Sequence, residues 1–506
     1  MNENLYSLIA SRFPGDVDAP CLMLGGGSTI SYGELDRESA RYANLLRSLA
    51  LKKGDRVAAQ VEKTPQGLFL YLGAIRAGLV FLPLNPAYQR AEIAYFLGDA
   101  KPGVLVCRTQ AKAMADELAR AAGVPHVFEL ADDGSGSLPR AAAAMSDHFP
   151  TVPCGWGDAA AILYTSGTTG RSKGAMLSHR NLASNARVLH EYWRFRPGDV
   201  LLHMLPTFHV HGLFVATHTA LLNGSAMLWE PRFDARRALA LLHRATVFMG
   251  VPTYYTRLLA EPGLSREACA HMRLFVSGSA PLLSETFNEF RARTGHTILE
   301  RYGMTETGML TSNPYDGERR PGTVGFPLPG TSARIMDDND HPAPGGQVGH
   351  IQVRGDNVLS GYWQMPEQTR QAFTADGWFR TGDMGRMDAD GYIHIIGRSK
   401  DLIITGGLNV YPKEIESVID ELPGVLESAV VGVPHPDFGE AVAAVVVRQK
   451  GQAGAALTEA GIIAAVKGEL ANFKVPKRVF LVDELPRNTM GKVQKNLLRD
   501  RYSASS

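Results

Sequence analysis

The chain has only four cysteines in 506 residues, Cys21, Cys107, Cys154 and Cys269, and no two of them form a CxxC pair. That scarcity excludes a disulfide scaffold and zinc-ribbon spacing, and it fits reduced thiols packed in a cytoplasmic protein. An excess of either charge is missing too. With 52 basic and 51 acidic residues the formal net charge is +1, which leaves no global electrostatic drive toward nucleic acid or an anionic membrane. Long apolar runs are also absent: the most apolar stretch, residues 67–84, is interrupted by Arg76 and several glycines. The N-terminus carries Glu3 and no basic segment ahead of an apolar core, so neither a membrane span nor a signal peptide is expected. No internal repeat of 20 to 50 residues is visible. Anion binding must come from local sites, and the expected partners are small molecules.

What is present is a long chain with 45% hydrophobic residues, too long for one ordinary core and apolar enough to be globular throughout. Apolar residues recur at helical spacing over 32–50, strand-like 56–61 follows, and the pattern repeats with 91–98 before 104–107. Residues 159–164 predict a buried strand, and 181–190 a helix after it. A second α/β stretch has strands at 226–229, 246–250 and 273–277 and a helix at 235–243. Segments 332–336, 349–353 and 392–396, separated by Gly, Pro and Asp, predict a β-rich subdomain. The last hundred residues have their own elements: a helix over 412–422, strands at 427–433 and 441–447, and a helix over 458–470, with 451–456 as a surface loop. The expected fold is α/β: a large N-terminal α/β domain, residues 1–399, with two sheet-containing subdomains plus the β-rich one, and a small mobile C-terminal α+β domain, residues 400–506.

The segment Thr165-Ser166-Gly167-Thr168-Thr169-Gly170-Arg171-Ser172-Lys173-Gly174 combines glycines, small hydroxyls and two cations. Its backbone can approach a polyphosphate closely, and its N–H groups and hydroxyls can donate to phosphate oxygens. It is not a Walker A loop, because Ser172 stands where that pattern needs its second glycine and Lys173 precedes Gly174 instead of following a glycine. A structural turn would explain the composition equally well if the loop stood alone. Four further motifs follow in order: Arg301-Tyr302-Gly303-Met304-Thr305-Glu306, Thr381-Gly382-Asp383, Gly397-Arg398-Ser399-Lys400-Asp401 and Pro486-Arg487-Asn488-Thr489-Met490-Gly491-Lys492.

This ordered set resembles the adenylate-forming superfamily of acyl-CoA synthetases, firefly luciferase and peptide-synthetase adenylation domains, from roughly Tyr32 to Arg499. Within it, Pro206-Thr207-Phe208-His209-Val210-His211-Gly212 and Ser277-Gly278-Ser279-Ala280-Pro281-Leu282, together with the Arg301 motif, look most like malonyl-CoA synthetases. The resemblance implies an acid–thiol ligase that uses ATP, Mg²⁺ and coenzyme A. A carboxylate attacks the α-phosphate to give an acyl adenylate and pyrophosphate, and the CoA thiol then displaces AMP. It assigns the β- and γ-phosphates to Thr165, Ser166, Gly167, Thr168, Thr169, Gly170 and Lys173. Mg²⁺ falls to Glu306 with help from Thr165, and adenine to Tyr302, Gly303, Thr305 and the Ser277, Gly278 and Ala280 turn. Asp383, after a turn-forming Gly382, takes the ribose, and Arg398 the ribose or a phosphate. Lys492 becomes the adenylation lysine, Lys400 the hinge, Gly406 and Gly407 the passage for pantetheine, and His209 the gate between acyl pocket and thiol channel. His209 and His211 do not suggest a metal pair, because no third ligand lies at metal spacing.

The acid is read from Arg301. A cation facing an acyl pocket is costly unless the substrate carries a compensating charge, and a guanidinium suits a second carboxylate bidentately. Arg257, Ser279 and His211 are weaker members of the same set. A short dicarboxylate follows, malonate first and methylmalonate second. Rival readings are a ligase for another short or aryl acid, and a luciferase-like oxygenase; a peptide-synthetase module is disfavoured because no carrier domain follows Arg499. Lys492, on a glycine turn expected to be exposed, is a candidate target for a lysine acetyltransferase, since acetylation would remove its charge.

Overall fold

A computed structural model describes residues 2–165, 172–405, 408–435, 438–470, 472–488 and 491–503. The expected helix after residue 31 runs over Tyr32–Ser48. Ser31 caps it by accepting the Glu34 N–H at 3.1 Å, satisfying one of the orphan donors of the first turn. Its buried face carries Leu35, Tyr42, Ala43 and Leu46 and packs on helix Pro65–Arg76. At the crossing, a Cβ on Gly73 would stand 2.7 Å from that of Tyr42, so only glycine allows the close approach.

Two large sheets form the body. The seven-stranded sheet runs Gly361–Tyr362, Lys173–Ser178, Ala159–Thr165, Val80–Pro83, Arg56–Gln60, Val104–Cys107, His126–Glu129. The nine-stranded sheet runs Phe326–Pro327, Gly308–Ser312, Leu299–Met304, Leu274–Ser277, Val247–Gly250, Val200–His203, Ala226–Trp229, Pro20–Leu24, Thr29–Ser31. Their central strands are parallel and buried on both faces, as the unbroken apolar runs predict. A four-stranded antiparallel sheet of Thr331–Met336, Gly349–Gly355, Phe379–Met387 and Ile393–Arg398 follows. The last part of the chain builds a five-stranded sheet from 403 onward. It has apolar clusters of its own, one around Ile403, Ile415, Val430, Val442 and Val446 and another around Val431, Val445 and Leu498. The architecture is thus α/β, a large N-terminal domain of several sheets and a small C-terminal domain. All four cysteines are free and buried, and among the described residues no helix is long and apolar enough to cross a membrane.

The structure corrects three expectations. The glycine-rich segment does not lead straight into a helix. The chain first returns as strand Lys173–Ser178, antiparallel to Ala159–Thr165, so Lys173 begins a strand and pairs with Thr165. Thr381-Gly382-Asp383 is not a turn between elements but lies inside the strand Phe379–Met387, beside a register shift, with Gly382 at φ +72°; a left-handed residue within a strand is what glycine permits. Residues 452–455 form one helical turn where a loop was expected.

Candidate active site

Arg301 stands on strand Leu299–Met304, whose antiparallel partner is Gly308–Ser312. Glu306 sits in the turn between them, so the alternation of the strand and its reversal deliver both groups from six residues of sequence. Arg301 is 3% exposed, and its Nε and Nη2 have no hydrogen-bond partner. The guanidinium lies flat against Gly278, where a Cβ would come within 2.4 Å of Cζ. Burial works against its charge and pulls its pKa down to about 9, so it remains a cation at neutral pH. The adjacent Glu300 is no counter-ion: burial pushes its carboxyl up to about 8, and it accepts the Leu282 N–H at 3.1 Å. A buried cation with free donors is costly, and an incoming anion relieves it. Around it, the buried Ser277 Oγ and His211 Nε2 are also unpartnered. Ser279, at φ +71°, holds its Oγ 3.3 Å from His211 Nδ1, and Ala280 follows in the same loop.

Asp383 and Arg398 face each other across the antiparallel pair Phe379–Met387 and Ile393–Arg398. Arg398 Nε is 2.7 Å from Asp383 Oδ1, and the Tyr302 hydroxyl donates to Asp383 Oδ2. Both carboxylate oxygens are therefore already aimed at donors, as a group that must receive two hydroxyls requires. Gly303 permits the tight hairpin: a Cβ there would lie 2.1 Å from the Gly308 carbonyl. Thr305 occupies the turn ahead of Glu306.

Glu306 is 7% exposed, and burial raises the pKa of its carboxyl. The Tyr362 hydroxyl donates to its Oε1 at 3.2 Å, and the Tyr362 ring lies under the Lys173 ammonium, 5.1 Å from the centroid. Tyr362 belongs to the strand beside Lys173–Ser178, which brings the Thr165 end of the seven-stranded sheet to Glu306. A buried carboxylate and nearby hydroxyls are hard oxygen donors that stand to gain from a cation; they suit Mg²⁺, which takes one or two protein ligands and completes its shell with phosphates and water. Among the described residues no cluster of three His, Cys, Asp or Glu offers an all-protein metal site.

Lys492 comes from the small domain. Its turn is closed by Asn488 N–H to the Lys492 carbonyl at 2.9 Å and by Lys492 N–H to Asn488 Oδ1 at 3.0 Å, with Arg487 Nη1 donating to the Gly491 carbonyl at 2.6 Å. Asn488 and Lys492 are exposed, as expected of this turn, while Gly491, at φ +74°, is half-buried against Thr253 of the large domain, where a Cβ would meet Oγ1 at 3.2 Å. Lys492 is solvent-accessible, but the charges of Arg398, Asp383, Glu306 and Arg301 act on it. Desolvation lowers its pKa, and the Arg398 charge lowers it further, against the pull of Asp383 and Glu306. Lys492 also bears on His209, whose pKa burial drives down to about 3; His209 is thus neutral, its Nδ1 accepting the His211 N–H at 3.2 Å.

The residues gathered here are Arg301, Ser277, Gly278, Ser279, His209, His211, Tyr302, Glu306, Asp383, Arg398 and Lys492. Arg257 is not beside Arg301: it is exposed and lines an interdomain cavity of about 200 Å³ with Thr253, Tyr254, Arg487 and Gly491. Lys400 lies in the 3₁₀ turn Ser399–Asp401 between the last strand of the four-stranded sheet and the first of the terminal sheet. Ser166, Gly167, Thr168, Thr169 and Gly170 of the phosphate loop, and Gly406 and Gly407, lie outside the described residues. Sequence reasoning missed Tyr362, which nothing in its local sequence marks, and the buried pair Lys63 and His203. A lysine between a strand and a capped helix reads as solvated until the fold covers it.

The AMP-binding enzyme family matches residues 10–363, and the C-terminal domain of AMP-binding enzymes matches residues 414–492. A sulfoacetate–CoA ligase of Cupriavidus necator is 37% identical over 97% of each chain. A malonate–CoA ligase of Arabidopsis thaliana is 34% identical over 94% of this chain and 84% of its own. ATP-bound MatB from Rhodopseudomonas palustris superposes with a TM-score of 0.97 at 55% identity over 99% of both chains, and the apo form of that protein with 0.86. Identity is the same in the two comparisons, so the drop reflects how the parts of the chain are arranged; the arrangement found here is that of the ATP-bound relative.

Proposed function

This chain belongs to the family of AMP-binding enzymes and is an AMP-forming CoA ligase, a premise from which we propose that its acid is malonate and its product malonyl-CoA. The observation that carries the choice is Arg301, a buried guanidinium with two unpartnered nitrogens. It favours an acid with a second anionic group and disfavours fatty acids and acetate. The full-length likeness to a malonate–CoA ligase and to MatB points the same way.

In the first half-reaction, one carboxylate of malonate rests on Arg301 and the other is left to attack the α-phosphorus of ATP. Two anions meet there, so the barrier is lowered by fixed positive charge. Lys492 supplies it, its ammonium acting in the field of Arg398, Asp383, Glu306 and Arg301. Asp383 and Arg398 orient the ribose, and the segment from Thr165 to Lys173 grips the leaving pyrophosphate. Glu306 would hold Mg²⁺, which would supply positive charge to the phosphates. Pyrophosphate departs and malonyl adenylate remains.

In the second half-reaction the thiol gives up its proton to water, its sulfur attacks the adenylate carbonyl, the bond from the acyl carbon to the phosphate oxygen breaks, AMP leaves, and Lys492 has no further task. We place the hinge at Lys400: rotation there would withdraw Lys492 and bring residues 403–407 to the channel, with His209 moving aside for pantetheine. Methylmalonate, one methyl larger, is the expected second substrate. Acetylation of the exposed Lys492 would remove the charge that adenylation needs.

A second reading has its own support in the likeness to a sulfoacetate–CoA ligase. Sulfoacetate also carries two anionic groups, so Arg301 alone does not separate the two. ATP–pyrophosphate exchange measured without CoA tests the proposal: malonate should drive exchange, and exchange with sulfoacetate but not malonate would replace it.

A further inference from the structure

Lys63 is a buried lysine remote from the motifs. It is 7% exposed, and its Nζ lies 2.7 Å from His203 Nδ1, 2.7 Å from the His203 carbonyl oxygen and 4.3 Å from the centre of the Trp229 ring. Burial lowers the Lys63 pKa well below its ordinary value, so the tautomer is set from the other side of the ring, where Nε2 faces the Gly212 carbonyl, which can only accept. His203, 1% exposed, therefore carries its proton on Nε2, which sits 3.1 Å from the Gly212 carbonyl and 3.1 Å from Thr217 Oγ1. Nδ1 is left to accept from Lys63, and the two contacts together hold one tautomer of the imidazole and so the direction of its donor.

That donor lands on an unusual feature. His211–Ala216 is a π turn, and Gly212 O accepts both the Thr217 N–H five residues on and, at 2.9 Å, the Thr217 hydroxyl. Such turns are rare and cluster at functional sites. Gly212 is pressed on the preceding segment, where a Cβ would stand 2.0 Å from the Pro206 carbonyl. The residue before it, His211, is fully buried and holds Ser279 through Nδ1, leaving Nε2 unpartnered in the pocket of Arg301. Ser279 keeps a left-handed backbone that a non-glycine residue holds only when its surroundings impose it.

We propose that Lys63 and His203 are positioning residues for acid recognition: by locking the π turn at Gly212 they set His211 and Ser279 against the acid held by Arg301. The inference rests on the reading of that pocket as the acid site. It explains why a lysine is buried where an apolar side chain would pack at lower cost.

The test is ATP–pyrophosphate exchange with KM resolved for acid and for ATP. Lys63→Met should raise the malonate KM about tenfold or more and leave the ATP KM within about twofold. Thr217→Val should act in the same direction, and Thr217→Ser, which keeps the hydroxyl, should restore the wild-type value. The Thr217 pair carries the test if Lys63→Met does not fold. Equal changes in both KM values, or no change in either, would overturn the proposal, since a purely structural defect has no reason to single out the acid. If the wild type activates another acid, malonate fails as the substrate, and the same split measured with that acid still decides the role of the pair.

Discussion

Replacing Arg301 by methionine separates a substrate-binding cation from a structural one, because the two roles predict opposite signs for stability. The guanidinium is buried, two of its nitrogens lack partners and the neighbouring Glu300 is driven toward its neutral form. In the free enzyme such a group opposes folding, and an apolar side chain of similar length that rests on Gly278 relieves it; exchanging buried charge for packed apolar groups is often neutral or stabilising by about 1–4 kcal/mol. Arg301→Met should therefore melt at or above the wild-type temperature. With malonate the balance reverses. Its second carboxylate would enter the pocket unpaired, and stranding a buried charge costs about 3 kcal/mol or more, which is over about 100-fold in kcat/KM at about 1.36 kcal/mol per decade. The ATP KM should move less than about threefold, since Asp383, Arg398 and Glu306 are untouched. Differential scanning calorimetry with and without malonate, and exchange kinetics, read both. A variant that melts several degrees lower, or that uses malonate normally, would refute the assignment.

Lys492→Ala should abolish adenylate formation yet largely spare CoA transfer to preformed malonyl adenylate, measured as thioester in single turnover; equal loss of both halves would count against rotation about Lys400. The pH dependence follows from the lowered Lys492 pKa: its charge is present at low pH and is lost as pH rises through a value below the ordinary lysine value of about 10.4. The kcat/KM for exchange should fall on that alkaline limb, and Lys492→Arg should flatten it. Asp383→Asn keeps the shape but loses the charge facing Arg398, and should raise the ATP KM by about tenfold or more while the malonate KM holds. Chelation of Mg²⁺ should stop exchange, and Glu306→Gln should raise the Mg²⁺ concentration needed for half-maximal rate.

Much of this was legible before the fold was seen, for physical reasons. Central strands such as Ala159–Thr165 and Val104–Cys107 are covered on both faces, so they appear as unbroken apolar runs bounded by turns. The site motifs were legible because each is short and local: Arg301 to Glu306 is one strand and its reversal. Strand Phe379–Met387 was missed because Gly382 at φ +72° and a register shift interrupt its alternation, and its residues read as a turn. Strand Lys173–Ser178 was hidden behind glycine and lysine. Tyr362, Lys63 and His203 were out of reach altogether. Their importance comes from partners 56, 140 and 9 residues away, and nothing local announces a lysine that the fold buries against a histidine. The same limit misplaced Arg257, which stands on the exposed face of the helix Pro252–Leu259.

The central claim is that the enzyme activates a small acid by the second charge it carries, with malonate the preferred case. It is tested most directly by thioester and AMP formation across malonate, methylmalonate, sulfoacetate, succinate, acetate and an aryl acid. The account predicts the highest kcat/KM for malonate, methylmalonate next, and acetate slower by at least about 100-fold. Acetate or the aryl acid matching malonate would contradict it.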